Sequence, residues 1–90
     1  MNAGYEVRLS RAASRALAER LPLGVASAIW EFLTGPLADN PRRLGKPLSG
    51  NLAGYHSARR GSYRVVYSIT DNPEVITVAR IDHRRSVYHR

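Results

Sequence analysis

Arginine and tyrosine crowd the last part of this chain. Residues 55–90 carry Arg59, Arg60, Arg64, Arg80, Arg84, Arg85 and Arg90, with Tyr55, Tyr63, Tyr67 and Tyr88, and His56, His83 and His89 lie among them. A guanidinium grips phosphate through a planar fork, an aromatic ring stacks on an unpaired base, and imidazole or phenol moves protons. That mixture suits RNA. Cutting RNA without a metal needs a base for the 2′-hydroxyl proton, cations to hold charge on the pentavalent phosphate, and an acid for the leaving 5′-oxygen. Arg64 draws attention first, because it interrupts the β-branched and aromatic run Tyr63–Ile69, where a guanidinium is costly to bury unless it is paired or faces a site. His83, beside Arg84, is a candidate base. Arg42, Arg43 and Lys46, upstream, are candidates for contact with RNA phosphates, as are His56, Arg59, Arg60 and Arg85.

Other chemistries are excluded by what is missing. The acidic residues stand far apart, at 6, 19, 31, 39, 71, 74 and 82, which speaks against a carboxylate-clustered two-metal nuclease. With no cysteine there is no disulfide framework, thiolate metal site or Cys nucleophile. The histidines lack metal-ligand spacing, and neither a Walker motif nor Gly-x-Gly-x-x-Gly occurs. No cofactor is expected. Fourteen basic residues against seven acidic ones give a net charge of +7, and thirteen of the fourteen are Arg. Such a surface implies a polyanionic partner.

The elements that must position these side chains follow from periodicity. At 90 residues, 43% hydrophobic and 23% charged, the chain reads as one folded domain spanning 1–90. Tyr5–Leu9 alternates like a half-buried strand. Ser10 offers an N-cap to an Ala-rich helix ending before Pro22. A second helix carries Val25, Ala28, Ile29, Phe32 and Leu33 on one stripe and is expected to end at Gly35–Pro36. Residues 39–51, rich in Pro, Gly and Asn, read as a loop. Three strands follow, at 55–59, 63–69 and 75–81, with turns at Gly61 and Asp71–Pro73. The order β-α-α-β-β-β makes an α+β domain: an antiparallel sheet on an N-terminal helical hairpin, with Tyr63, Val65, Tyr67 and Ile69 facing one way and Arg64, Val66 and Ser68 the other. No window of about 18 apolar residues exists, and Met1–Glu6 does not resemble a signal peptide, so a cytoplasmic protein is expected.

Three blocks together resemble the RelE toxins of the RelE/ParE superfamily. They are Arg43-Leu44-Gly45-Lys46-Pro47-Leu48, Gly61-Ser62-Tyr63-Arg64-Val65-Val66-Tyr67 and the terminal His83-Arg84-Arg85-Ser86-Val87-Tyr88. The resemblance implies a type II toxin–antitoxin toxin: a metal-independent endonuclease of mRNA in the ribosomal A site, neutralised by a cognate antitoxin whose complex binds operator DNA. It implies catalytic roles for Arg64 at the phosphate, for Arg84, or Arg85 with a register shift, near the leaving group, and for Tyr88, at the 2′-hydroxyl or stacked on a base, with His83 beside them. The family's best-known member carries a Tyr-Lys-x-Lys before the Gly turn; this chain has Tyr55-His56-Ser57-Ala58, with His56 and Ala58 taken as the positions of the two lysines. The ParE branch of the same fold inhibits DNA gyrase without cutting RNA, and that is the alternative.

Overall fold

The computed structural model describes residues 4–85. Strand β1 (Glu6–Leu9) leads to helix α1 (Arg11–Arg15), which continues as a wider helical turn, Ala16–Arg20. Helix α2 (Leu23–Phe32) likewise continues through a wide turn, Leu33–Leu37. A short helix α3 (Pro41–Leu44), strand β2 (Lys46–Pro47) and a 3₁₀ turn (Gly50–Leu52) precede strands β3 (Tyr55–Arg60), β4 (Tyr63–Asp71) and β5 (Glu74–His83). The five strands form one sheet in the order β1-β5-β4-β3-β2. β1 lies parallel to β5, and the remaining pairs are antiparallel. The expected α+β architecture is therefore present.

Two expectations need correction. Residues 39–51 are not one loop: Pro41, at the first position of a helix where its missing N–H costs nothing, starts α3, and Lys46–Pro47 adds an edge strand to β3. Nor does Gly35–Pro36 end the second helix. Pro36 removes one donor from the ladder, and the helix widens there and runs on to Leu37.

The core lies between the helices and one face of the sheet. Ala13, Ala16, Ile29, Leu33 and Leu37 meet Ala58, Val65, Tyr67, Ile76, Val78 and Ile81. Alanines at 13 and 16 let α1 approach the sheet closely. Ser10 fixes that approach: its hydroxyl accepts from Ala13 N–H (3.0 Å) and donates to Ala79 C=O (2.7 Å).

Ala79 is a bulge. Val66 pairs with Arg80 and Tyr67 with Val78, which leaves Ala79 unopposed. An extra residue reverses the alternation of a strand. Ile76 and Val78 therefore face the core before the bulge, and Ile81 faces it after. Beyond Ala79, Asp82 stands opposite Arg64 and His83 opposite Tyr63.

Candidate functional site

Side-chain direction on β3 and β4 follows from one turn. Gly61, at φ 62°, begins the two-residue link that pairs Arg60 with Tyr63 and hence Arg59 with Arg64. Opposed residues share a face. Val65, Tyr67 and Ala58 face the helices, so Arg64, Arg59 and Ser57 take the open side. β2 pairs Lys46 with Ser57 and so adds its lysine to that side.

The result is a groove of about 580 Å³ lined by Leu44, Lys46, Leu48, Ser57, Ala58, Arg59 and Arg64, three cations and no acid. Arg59 and Arg64 stand directly opposite each other, an arrangement of like charges that costs stability. Arg64 is half-buried, and its Nε is buried with no hydrogen-bond partner among the described residues. Asp82, across from Arg64, pairs instead with Arg80 at 3.0 Å. Guanidinium and ammonium groups that line a cleft without a carboxylate are the chemistry that suits a phosphate ligand.

Other residues singled out from the sequence lie elsewhere. His56 faces the helices, not the groove: it opposes Tyr67, stacks on it with ring centroids 5.6 Å apart, and buries an Nδ1 with no hydrogen-bond partner among the described residues. His83 also takes the face opposite to Arg64, because the Ala79 bulge shifts it there, and meets the Tyr63 ring edge-on at 5.1 Å. Its Nδ1 accepts from Arg85 N–H at 3.0 Å. A neutral imidazole accepting at Nδ1 carries its proton on Nε2 and offers that nitrogen as a donor. Arg60 shares the helix-facing side and borders a hollow with Val25, Ala28 and Ile29.

Arg42 is occupied. Its guanidinium binds both carboxylate oxygens of Asp71 (2.9 and 2.8 Å), and Tyr5 hydroxyl donates to the same carboxylate at 2.8 Å. These bonds, that of Arg42 before that of Tyr5, hold the Asp71 carboxyl below its ordinary pKa. Arg43 borders a separate hollow beside Tyr5 and Asn40. Arg84 and Arg85 are exposed, and Arg84 N–H donates to Ser62 C=O at 2.8 Å. Tyr88 lies outside the described residues, as does His89.

The pairing sorts residues 56–59 onto alternate faces. Side chains at 56 and 58 turn toward the helices; those facing the groove are Ser57 and Arg59. Ser57, Leu44 and Leu48 were not singled out from the sequence. Parity counted outward from the Gly61 turn finds Ser57, while the other two depend on β2 and α3.

A small α+β domain with a helical layer on one sheet face and a cationic groove on the other has the architecture of the RelE/ParE toxins. The chain belongs to the family described as ParE toxin of type II toxin-antitoxin system, parDE, whose model matches residues 7–88. It is 49% identical over 84 residues to Toxin RelE of Mycobacterium tuberculosis, covering 93% of this chain and 86% of that one. To Toxin RelG of the same organism it is 44% identical over 86 residues, 96% of this chain and 98% of the relative. The fold matches a chain in the crystal structure of the toxin–antitoxin complex RelBE2 from M. tuberculosis with a TM-score of 0.85 and 44% identity, covering 91% of this chain and 100% of that one. The protein is a type II toxin–antitoxin toxin of the RelE/ParE superfamily.

Proposed function

We propose that this toxin is an endoribonuclease that cuts mRNA on the ribosome and thereby stops translation. The observation that carries the proposal is Arg64: a half-buried guanidinium whose Nε has no partner among the described residues, in a groove to which those residues contribute Lys46 and Arg59 and no carboxylate. Arg64 would bind the scissile phosphate and stabilise its developing charge, while Lys46 and Arg59 hold neighbouring phosphates. Proton transfer falls to the end of the chain, where Arg84, Arg85 and Tyr88 follow the last strand. His83 would serve as the acid only as the imidazolium: Nδ1 gives up the bond from Arg85 N–H and takes a proton, and Nε2 then donates to the leaving oxygen. No metal enters this scheme. Because the acid–base groups are few and the groove is open, alignment by the ribosome would supply much of the rate.

The likeness to a chain from a toxin–antitoxin complex supports a cognate antitoxin as partner. Such a complex would act in the cytoplasm and reach operator DNA through the antitoxin. No helix among the described residues is long and apolar enough to cross a membrane.

The ParE family model favours a second reading, inhibition of DNA gyrase without cleavage. A cell-free translation reaction with primer extension on the mRNA separates the two. Cuts positioned at codons support the nuclease. Intact mRNA together with blocked supercoiling supports the gyrase inhibitor and overturns the nuclease.

A further inference from the structure

Tyr67 is fully buried, yet its hydroxyl leaves the core. It donates to Pro41 C=O at 2.5 Å, across to the first residue of α3. Burial pushes its pKa up to about 12, so it stays a donor at any working pH. Gly45 closes over the same hydroxyl. A Cβ there would collide with Tyr67 Oη and sit 2.9 Å from Ser57 C=O, so only glycine lets the chain pass. The next residue is Lys46, which pairs with Ser57 and lines the groove on the other side of the sheet. Strand β2 is two residues long, too short to hold its own register. It is fastened before by Tyr67 on Pro41 and after by Leu48 N–H donating to Tyr55 C=O at 2.8 Å.

We propose that Tyr67 is a positioning residue: from the core side its hydroxyl anchors the Pro41–Gly45 segment, and that anchor delivers the Lys46 ammonium into the groove to meet an anion. That the anion is an RNA phosphate rests on the function proposed above; the anchor does not.

The test uses the full-length protein and Tyr67→Phe, which keeps the ring and its stack on His56 and removes one oxygen. The probe is a single-stranded RNA oligonucleotide with 2′-O-methyl groups, which cannot be cut, and binding is followed across salt concentrations. Lys46→Ala should weaken binding several-fold and flatten the salt slope by about 0.7, the release expected for one phosphate contact. Tyr67→Phe should do the same. The double variant should bind like Lys46→Ala alone, whereas Tyr67→Phe combined with Arg59→Ala should show both losses multiplied. Hydrogen exchange should quicken at the Leu48 amide in Tyr67→Phe and stay unchanged between β4 and β5. If Tyr67→Phe does not fold, Gly45→Ala displaces the same segment and should give the same pattern.

Multiplied losses in the Tyr67/Lys46 pair, or unchanged protection at Leu48, overturn the proposal, since a hydroxyl that only stabilises the core would act independently of Lys46. Wild-type protein that binds no RNA overturns the function proposed above instead, and exchange at Leu48 then decides the anchor by itself.

Discussion

The Nε of Arg64 is buried with no hydrogen-bond partner among the described residues, and an unpaired buried donor costs about 1–3 kcal/mol. Arg59, directly opposite, adds like-charge repulsion. If the groove takes a phosphate as proposed, the same two features would favour its binding, and stability and activity would oppose each other here. Arg64→Ala is therefore expected to melt at the wild-type temperature or above it while losing about 10²–10³ in cleavage rate on programmed ribosomes, the usual effect of removing one preorganised donor. A variant that melts normally and cleaves normally would remove Arg64 from the mechanism. The histidines carry a different expectation. His56 stacks inside the helix-facing layer and His83 holds its proton on Nε2, so neither is placed as the base. Followed from about pH 5.5 to 8.5, the single-turnover rates of His56→Ala and His83→Ala should change with pH as steeply as those of the wild type. A profile flattened in either variant would restore that imidazole as base. That Arg64 takes the open face was legible in the sequence, because it alternates with Tyr63, Val65 and Tyr67. The orientation of the histidines was not. At His56 it follows from parity outward from Gly61, and at His83 from a bulge that no residue type announces.

Strands and helices with an apolar rhythm were readable, since burial of one face dictates the period. β4 and β5 alternate, α1 is capped by Ser10, and apart from α3 and β2 the elements follow in the expected order. What stayed hidden was held by contacts distant in sequence. α3 and β2 have no rhythm of their own, and their placement comes from Tyr67 on Pro41, from Leu48 on Tyr55, and from Arg42 on Asp71 at the end of β4. Arg42 shows the reason: it reads as a loop cation, and the carboxylate that holds it lies 29 residues further on. That clamp has a pH signature. The carboxyl of Asp71 is held below its ordinary value of 3.8, chiefly by Arg42 and then by Tyr5. A depressed carboxyl contributes stability above its unfolded pKa and loses it as pH falls through the folded value. The difference in melting temperature between wild type and Asp71→Asn should be constant near neutrality and shrink below about pH 4. It should also be small, because the pair is exposed and solvent screens it. A difference that persists unchanged to pH 2 would mean that Asp71 acts through packing and not through its charge.

A chain of +7 with 14 basic residues repels its own copies and attracts acidic partners. Its two sheet faces differ in what they can offer such a partner. The open face presents the cationic groove. The helical side presents apolar side chains that the small core leaves uncovered, Trp30 at 44% exposure and Leu23 at 84%. Beside Trp30, a hollow of about 380 Å³ is bordered by Leu9, Leu17, Ala18 and Ala26. An antitoxin that neutralises the toxin would use both, with charge setting the rate of encounter and apolar anchors setting the lifetime. The two contributions can be separated. Trp30→Ala should weaken the complex by about 2 kcal/mol, as expected when a buried aromatic anchor is removed, mostly through faster dissociation and with the salt dependence of association unchanged. Arg59→Ala should instead slow association and flatten its salt dependence while leaving dissociation near the wild-type rate. Stopped-flow association and dissociation with the purified antitoxin, at low and physiological salt, read both. Should Trp30→Ala dissociate like wild type, the helical hairpin is not where the antitoxin anchors, and the exposed Trp30 needs another explanation.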